Sequence, residues 1–350
     1  MSGYDYMRGR AKNARAARAP ADGPISPWLC LPVMTPGHAQ WYHRYWNPGT
    51  RGESEMAETL GFIGLGNMGE PIAANLLSAG YGLRVYNRTA SKAAALAAKG
   101  AFVAANAAEV ASPAGIVLTM VANDQALEEI CLPAGSFVER LGSSGIHISV
   151  STIAPATARR LIEHHARHGV EFVSAPVFGR PDAAAAKRLW VCVSGPAAAK
   201  KRTQPILAAI GQGVFDFGEG AGAANIVKLC GNFLIASAIE ALAEAFALAE
   251  KNGASKRELA EMLGKTFFAC PAYQTYGKII AEEKFEPAGF RLALGLKDVT
   301  LVLETAAASA MPMPLASLLR DHLLAAMAKG RENMDWTAVA LGVAEDAGLK

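Results

Sequence analysis

Two groups of residues in this chain have the types and spacing for chemistry. The first is Gly64-Leu65-Gly66-Asn67-Met68-Gly69, a G-x-G-x-x-G turn. Its first glycine permits a tight turn, its second lets a pyrophosphate approach the backbone, and its third lets a following helix pack closely on a strand. The N-terminus of that helix then presents free N–H groups and a positive dipole end to phosphate. The second group is Lys228 and Asn232, one turn apart in an otherwise apolar stretch. A lysine there is costly to bury unless it is paired or used. Burial lowers its pKa, which suits proton transfer to and from a carbonyl oxygen. The amide of Asn232 shares its face and is placed to hold a substrate or to orient the lysine.

The flanking pattern tells which elements carry these residues. LGFIG is a short apolar run ending in glycine, NMGEPIAANLLSAG has apolar residues at helical spacing, and LRVYN reads as a second strand. Strand, glycine turn, helix and strand make a βαβ unit, the context in which the glycine motif is informative. A carboxylate at the end of the second strand would accept from the ribose 2′-hydroxyl of NAD. This chain has Asn87-Arg88-Thr89 there. A guanidinium and a hydroxyl suit a 2′-phosphate, so NADP(H) is favoured over NAD(H).

The alternation continues through GIVLTMVAN, IHISVS and EFVSAPV as strands, with SKAAALAAKGA, DQALEEIC and PATARRLIEHHARHG as helices. Ligands bind at the carboxyl ends of strands in such sheets. Val121, Asn123, Asp124, Ser151 and Thr152 are therefore candidates to touch ribose, nicotinamide or substrate, with helix capping an alternative for Asp124 and Thr152. From Gly222 onward the strands stop. ANIVKLCGNFLIASAIEALAEAFALAEKNG predicts one helix of unusual length, with Gly231 its weak point. A helix apolar nearly all round must be buried, between domains or against a second copy of the chain. Further helices are expected near 255–264, 291–310 and 314–329.

Composition narrows the function classes. Of 350 residues, 51% are hydrophobic and 19% charged, which suits a folded core and excludes a disordered chain. The net charge of +3 is carried by residues 1–55, so the remainder is balanced and gives no reason to expect a nucleic-acid partner. The cysteines at 30, 131, 192, 230 and 270 form no CxxC pair and no zinc spacing with histidine. Reduced thiols in a cytoplasmic protein, and no metal, are expected. No uncharged apolar run reaches the length of a membrane span. Residues 1–55, rich in Pro and Gly, read as a disordered extension. Residues 56–220 read as the nucleotide-binding domain, and 221–350 as a helical domain for substrate and dimerisation.

Taken together, GFIGLGNMGEPIAANLLSAG, YNRT, STIAP, APVFG, GAANIVKLCGNF and GLKDVTLVLETA resemble the β-hydroxyacid dehydrogenases, over about 56–350. The resemblance implies an α/β Rossmann-type N-terminal domain plus an all-α C-terminal domain built around a long interdomain helix. It implies an NADP(H)-dependent oxidoreductase that moves hydride between nicotinamide and a small 3-hydroxy acid, semialdehyde or 2-oxo acid, in a homodimer or homotetramer. Lys228 matches the catalytic lysine, Asn232 the substrate-binding amide, Ser151 and Thr152 the pair near substrate and nicotinamide. Lys297 and Asp298 match the pair on the cofactor side. One segment departs from the family. Where the family carries A-P-V-S-G-G, this chain has Ala175-Pro176-Val177-Phe178-Gly179-Arg180. Phe178 would wall the substrate pocket beside Gly179, and Arg180 would clamp a carboxylate or point to solvent. Ser149 stands where an acidic residue often precedes the serine–threonine pair. An imine reductase-like enzyme, or an inactive NADP-binding interaction protein, is the alternative; Lys228 argues against both.

Overall fold

A computed structural model of the chain describes residues 58–349, so the expected extension at 1–55 lies outside the described residues. Six parallel strands form the main sheet. They are β1 (Thr59–Ile63), β2 (Gly82–Tyr86), β3 (Phe102–Val103), β4 (Ile116–Thr119), β5 (Ile146–Ser149) and β6 (Glu171–Ser174), in spatial order β3-β2-β1-β4-β5-β6. The order reverses between β1 and β4, which opens a crevice at their carboxyl ends. Helices α1 (Gly69–Ser78), α2 (Ala94–Ala97), α3 (Asp124–Cys131), α4 (Phe137–Leu141) and α5 (Pro155–Arg167) connect the strands. All four residues of β4 and of β5 are buried, because both faces of the sheet are covered. Leu60, Phe62, Ile72 and Leu76 pack on one face, and Val117, Leu127, Phe137, Leu161 and Phe172 on the other.

The run EFVSAPV is not one strand. Pro176 has no N–H to give to a ladder, and the chain leaves the main sheet there. A second, three-stranded sheet follows: β7 (Val177–Phe178) antiparallel to β8 (Leu189–Val193), and β8 parallel to β9 (Gly211–Asp216). Between them lie α6 (Pro181–Ala185) and α7 (Ala197–Ile210). Neither the second sheet nor α7 is evident from the sequence pattern.

The expected long helix is α8 (Ala223–Lys251), 29 residues. By length and hydropathy it is able to cross a membrane, yet it is the central post of a helical domain. Around it stand α9 (Lys256–Lys265), α10 (Pro271–Glu282), α11 (Leu292–Ala308), α12 (Pro314–Ala328) and α13 (Val339–Asp346). Ile239, Leu242 and Phe246 of α8 pack with Tyr276, Ile280, Leu319 and Trp336. Helix α10 has no counterpart in the expected set. Gly222 starts α8 with φ +78°, and a Cβ there would lie 3.0 Å from the Pro155 carbonyl oxygen. Only glycine lets α8 begin against the start of α5, next to the carboxyl ends of β4 and β5.

Candidate active site

The three glycines of the turn have the three expected geometries. Gly64 has φ +98°, and a Cβ on it would meet the Met120 oxygen at 2.2 Å. A Cβ on Gly69 would meet the Gly64 oxygen at 1.8 Å, so the helix seats directly on the turn. Around Gly66 nothing lies within 4 Å of the Cβ position, leaving the backbone bare toward open space. Leu65 is buried and its N–H donates to Asn87 Oδ1 at 2.8 Å, which joins the turn to the end of β2. Asn67 is exposed, and the half-buried Met68 begins α1 with no side-chain cap. The first N–H groups of α1 are thus not taken by a side chain. Asn87 Nδ2 donates to the Thr89 carbonyl, and Arg88 is exposed beside it, without an ion pair among the described residues. These residues fit a dinucleotide: a bare glycine backbone, a helix start without a side-chain cap and an exposed guanidinium at the strand end.

Ser151 and Thr152 turn out to organise the crevice through their backbone and hydroxyl contacts. Ser151 is fully buried, and its Oγ accepts from the Val121 N–H at 2.8 Å, tying the loop after β4 to the loop after β5. The Thr152 carbonyl accepts from Lys297 Nζ at 2.7 Å, joining that loop to α11. Asn123, rather than Asp124, caps α3: its Oδ1 accepts from the Ala126 N–H. Asp124 Oδ1 accepts instead from the Ala154 N–H at 2.8 Å, ahead of α5.

Lys228, Asn232 and Asp298 form one buried hydrogen-bonded line. Lys228 Nζ donates to Asn232 Oδ1 at 2.8 Å, and Asn232 Nδ2 donates to Asp298 Oδ2 at 2.5 Å. The ammonium of Lys297 lies 2.8 Å from the other Asp298 oxygen. All three members of the line are buried: Lys228 is 7% exposed, Asn232 4% and Asp298 1%. Burial pushes the Lys228 pKa down to about 8, Lys297 adds to the fall, and Asp298 and the Cys192 thiol oppose it. The lysine is therefore close to half protonated at mildly alkaline pH, where an acid–base group is most effective. Asn232 spends its oxygen on the lysine, so orienting Lys228 is the role its geometry displays.

Phe178 lies over the same lysine, its ring centroid 4.0 Å from Nζ. Gly179 has φ +142° and its Cβ position is 2.5 Å from a Leu189 methyl, so the turn after β7 also depends on glycine. Arg180 does not point to solvent. Its Nη2 donates to the buried Asp335 Oδ2 at 2.9 Å, and its guanidinium lies over Tyr276. Asp335 also accepts from the N–H groups of Gly289, Phe290 and Thr337 and from the Thr337 hydroxyl. Its oxygens collect donors from Gly289, Phe290 and Thr337 of the helical domain, and Arg180 reaches them from the turn after β7. Neither Asp335 nor Tyr276 carries a local sequence signal. Gly231 did carry one: glycine inside a buried helix costs about 1 kcal/mol relative to alanine, which demands a packing reason.

One further cluster of donors escaped the sequence reading. Cys131, His147 and His165 are buried with their ligand-type atoms within 4.8 Å of one another. His147 Nδ1 and His165 Nε2 are 2.8 Å apart, His147 Nε2 meets Thr119 Oγ1 at 2.9 Å, and His165 Nδ1 meets the Leu161 carbonyl at 2.6 Å. Two nitrogens on one tetrahedral zinc would stand about 3.3 Å apart. The spacing is that of a ring-to-ring hydrogen bond. With the Leu161 oxygen fixing one end, His165 Nδ1, His147 Nδ1 and the Thr119 hydroxyl act in turn as donors.

The fold and the glycine turn together define a dinucleotide-dependent oxidoreductase, with a buried lysine and amide beside its crevice. Comparison with known proteins agrees. Residues 59–218 match the NAD-binding domain of 6-phosphogluconate dehydrogenase, and residues 222–342 match the NAD-binding domain of NADP-dependent 3-hydroxyisobutyrate dehydrogenase. An uncharacterized oxidoreductase of Bacillus subtilis, YfjR, is 44% identical over 80% of this chain and 98% of its own length. The NAD-dependent L-serine dehydrogenase of Pseudomonas aeruginosa is 32% identical over 80% of this chain and 96% of its own. The structure of Mycobacterium tuberculosis 3-hydroxyisobutyrate dehydrogenase with L-serine superposes with a TM-score of 0.74, at 31% identity, over 82% of this chain and 99% of that one. An imine reductase from Pseudomonas sp. shares only the fold, with a TM-score of 0.54 at 19% identity. The chain belongs to the β-hydroxyacid dehydrogenase family and is an NAD(P)-dependent oxidoreductase acting on a CH–OH group.

Proposed function

We propose that this enzyme uses NADP(H) to interconvert a small 3-hydroxy acid with its semialdehyde, or a 2-oxo acid with its hydroxy acid, with Lys228 as the proton donor and acceptor. The observation that carries the reading is the buried line Lys228–Asn232–Asp298, which points a lysine of lowered pKa without giving it a carboxylate to neutralise it directly. Bound nicotinamide supplies or takes the hydride. In reduction the Lys228 ammonium gives its proton to the carbonyl oxygen; in oxidation the free amine takes the hydroxyl proton. Asn232 fixes the direction of the amine, and Asp298 fixes the amide. Lys297 holds the Thr152 carbonyl, keeping the loop after β5 against α11. The substrate class is supported by the relatives named for L-serine and 3-hydroxyisobutyrate, both 3-hydroxy acids.

Preference for NADP(H) is supported by Arg88, exposed at the end of β2 where a 2′-phosphate would lie, and by Asn87-Arg88-Thr89 carrying no carboxylate. A homodimer or homotetramer is supported by Ile226, Leu234 and Leu248, exposed along α8, and by Leu315 and Leu318 on α12. A cytoplasmic setting is supported by the free thiols of Cys131, Cys192, Cys230 and Cys270.

The test is oxidation of NADPH and of NADH by the purified full chain with glyoxylate, succinic semialdehyde, tartronate semialdehyde, methylmalonate semialdehyde and a set of cyclic imines. Turnover with an acid, faster with NADPH, and its loss of at least about 100-fold in Lys228→Met is the expected result. Turnover that survives in Lys228→Met, or is confined to imines, refutes the reading. Light scattering of the eluting protein reports the oligomer.

A further inference from the structure

Phe178 stands where the resemblance places a small residue, and the structure shows what surrounds its ring. Its ring face lies 4.0 Å from the Lys228 ammonium. The same ring rests on α8 at Gly231: a Cβ there would stand 2.3 Å from Phe178 Cζ and 2.4 Å from Cε1. No side chain at 231 other than hydrogen leaves the ring in place. The chain on either side of Phe178 is also held, by Val177 just before it and by Arg180 two residues after it. Val177 pairs with Val191 across β7 and β8, and Arg180 is tied to Asp335. The aromatic ring is thus fixed from below by a bare helix backbone and from its ends by a strand and an ion pair.

The ammonium has few charged neighbours. Asp298 and Lys297 face it from α11 and the Cys192 thiol from β8, while among the described residues its one hydrogen bond runs to the neutral Asn232 amide. An aromatic face attracts a cation and excludes water at once, which distinguishes it from an aliphatic side chain of similar size.

Resting on the assignment of Lys228 as the acid–base group, we propose that Phe178, seated on Gly231, is the positioning residue for that lysine: its π face holds the charged ammonium in a dry site, and the Phe178–Gly231 pair is what lets the lysine keep its proton without a carboxylate in contact.

The experiment compares full-chain wild type, Phe178→Leu, Phe178→Tyr and Gly231→Ala by the pH dependence of kcat/KM for NADPH-linked carbonyl reduction. The ammonium is the acid, so activity falls as pH rises through the Lys228 pKa. Leucine keeps the apolar bulk and lacks the π face. Its alkaline limb should move to lower pH by about half a unit to one and a half units, with activity near pH 8 down about fivefold. Phe178→Tyr keeps the face and should keep the limb. Gly231→Ala places a methyl group where the ring rests, at a helix position that alanine itself favours. It should shift the limb in the same direction, and the double variant with Phe178→Leu should be no worse than the poorer single one. A limb that stays in place in Phe178→Leu, or a Gly231→Ala enzyme indistinguishable from wild type, overturns the proposal. Failure of the underlying assignment looks different: Lys228→Met then retains turnover whatever stands at 178.

Discussion

Asp298→Asn is the most informative single substitution at this site. The change is nearly isosteric and keeps an oxygen to accept from Asn232 Nδ2, now at 2.5 Å. It removes the charge. Following the line through the amide, the Lys228 nitrogen and the Asp298 oxygens are no more than about 7.5 Å apart, and at an effective dielectric of about 20 that separation is worth about 2 kcal/mol. At 1.36 kcal/mol per unit, the Lys228 pKa falls by about one to two units. Asp298 raises this pKa in the wild type and Lys297 lowers it, so the loss of the carboxylate leaves only the lowering neighbour on α11. Starting from about 8, the lysine would titrate between about 6 and 7. Reduction needs the ammonium. At pH 7 its protonated fraction drops from about nine-tenths to about a quarter, and the alkaline limb of kcat/KM moves down by the same one to two units. Oxidation at pH 9 needs the free amine, which is already the main form, and is comparatively spared. The assay is kcat/KM in both directions across pH 5.5–10. Equal losses in the two directions with limbs unmoved would show that Asp298 only supports the fold, and an upward shift would refute the electrostatic argument.

Arg88→Asp should exchange cofactor preference, lowering kcat/KM for NADPH by about 10- to 100-fold through loss of a charge-assisted contact while NADH gains; unchanged relative rates would remove Arg88 from the cofactor site. Arg180→Ala leaves the Asp335 carboxylate, 1% exposed, without its cation. A loss of about 2–3 kcal/mol and a fall of several degrees in Tm are expected, and calorimetry showing no fall would mean the four other donors suffice. The His147–His165 pair makes stability acid-sensitive. Burial lowers His147 well below its ordinary pKa and His165 to about 4. The unfolded chain therefore binds more protons below pH 6.5, and stability present above that pH is lost at up to about 1.4 kcal/mol per unit for each ring as pH falls toward 4. Urea melts at pH 7, 5.5 and 4.5 would measure it; His165→Gln should show the shallower pH slope, and an equal slope would exclude this ring.

Much of the nucleotide half is legible locally, because its function is performed by backbone. A G-x-G-x-x-G turn works through the absence of side chains, so its three roles are written in three residue types, and the structure finds each glycine where a Cβ would clash or where space is open. The strand, turn and helix around it follow from periodicity over a few residues. The second sheet is different. Its strand β7 has only two residues and begins only because Pro176 ends the pairing of β6, and no local period marks β7 or β8.

The sequence by itself determined the nucleotide turn, the long apolar helix and the presence of a lysine and an amide on one of its faces. Each is a short-range pattern, set by neighbours within four or five residues. Tertiary structure alone decided what those residues do to one another. Asp298 stands 66 positions from Asn232 and Asp335 stands 155 from Arg180; packing of α11 on α8 closes the first contact, and packing of the turn after β7 on the helical domain closes the second. The same packing gave Arg180 the buried Asp335 carboxylate as partner, set Phe178 on Gly231, and lowered the pKa of Lys228. Burial and Coulomb interaction depend on distance in space, and spacing along the chain carries no record of it.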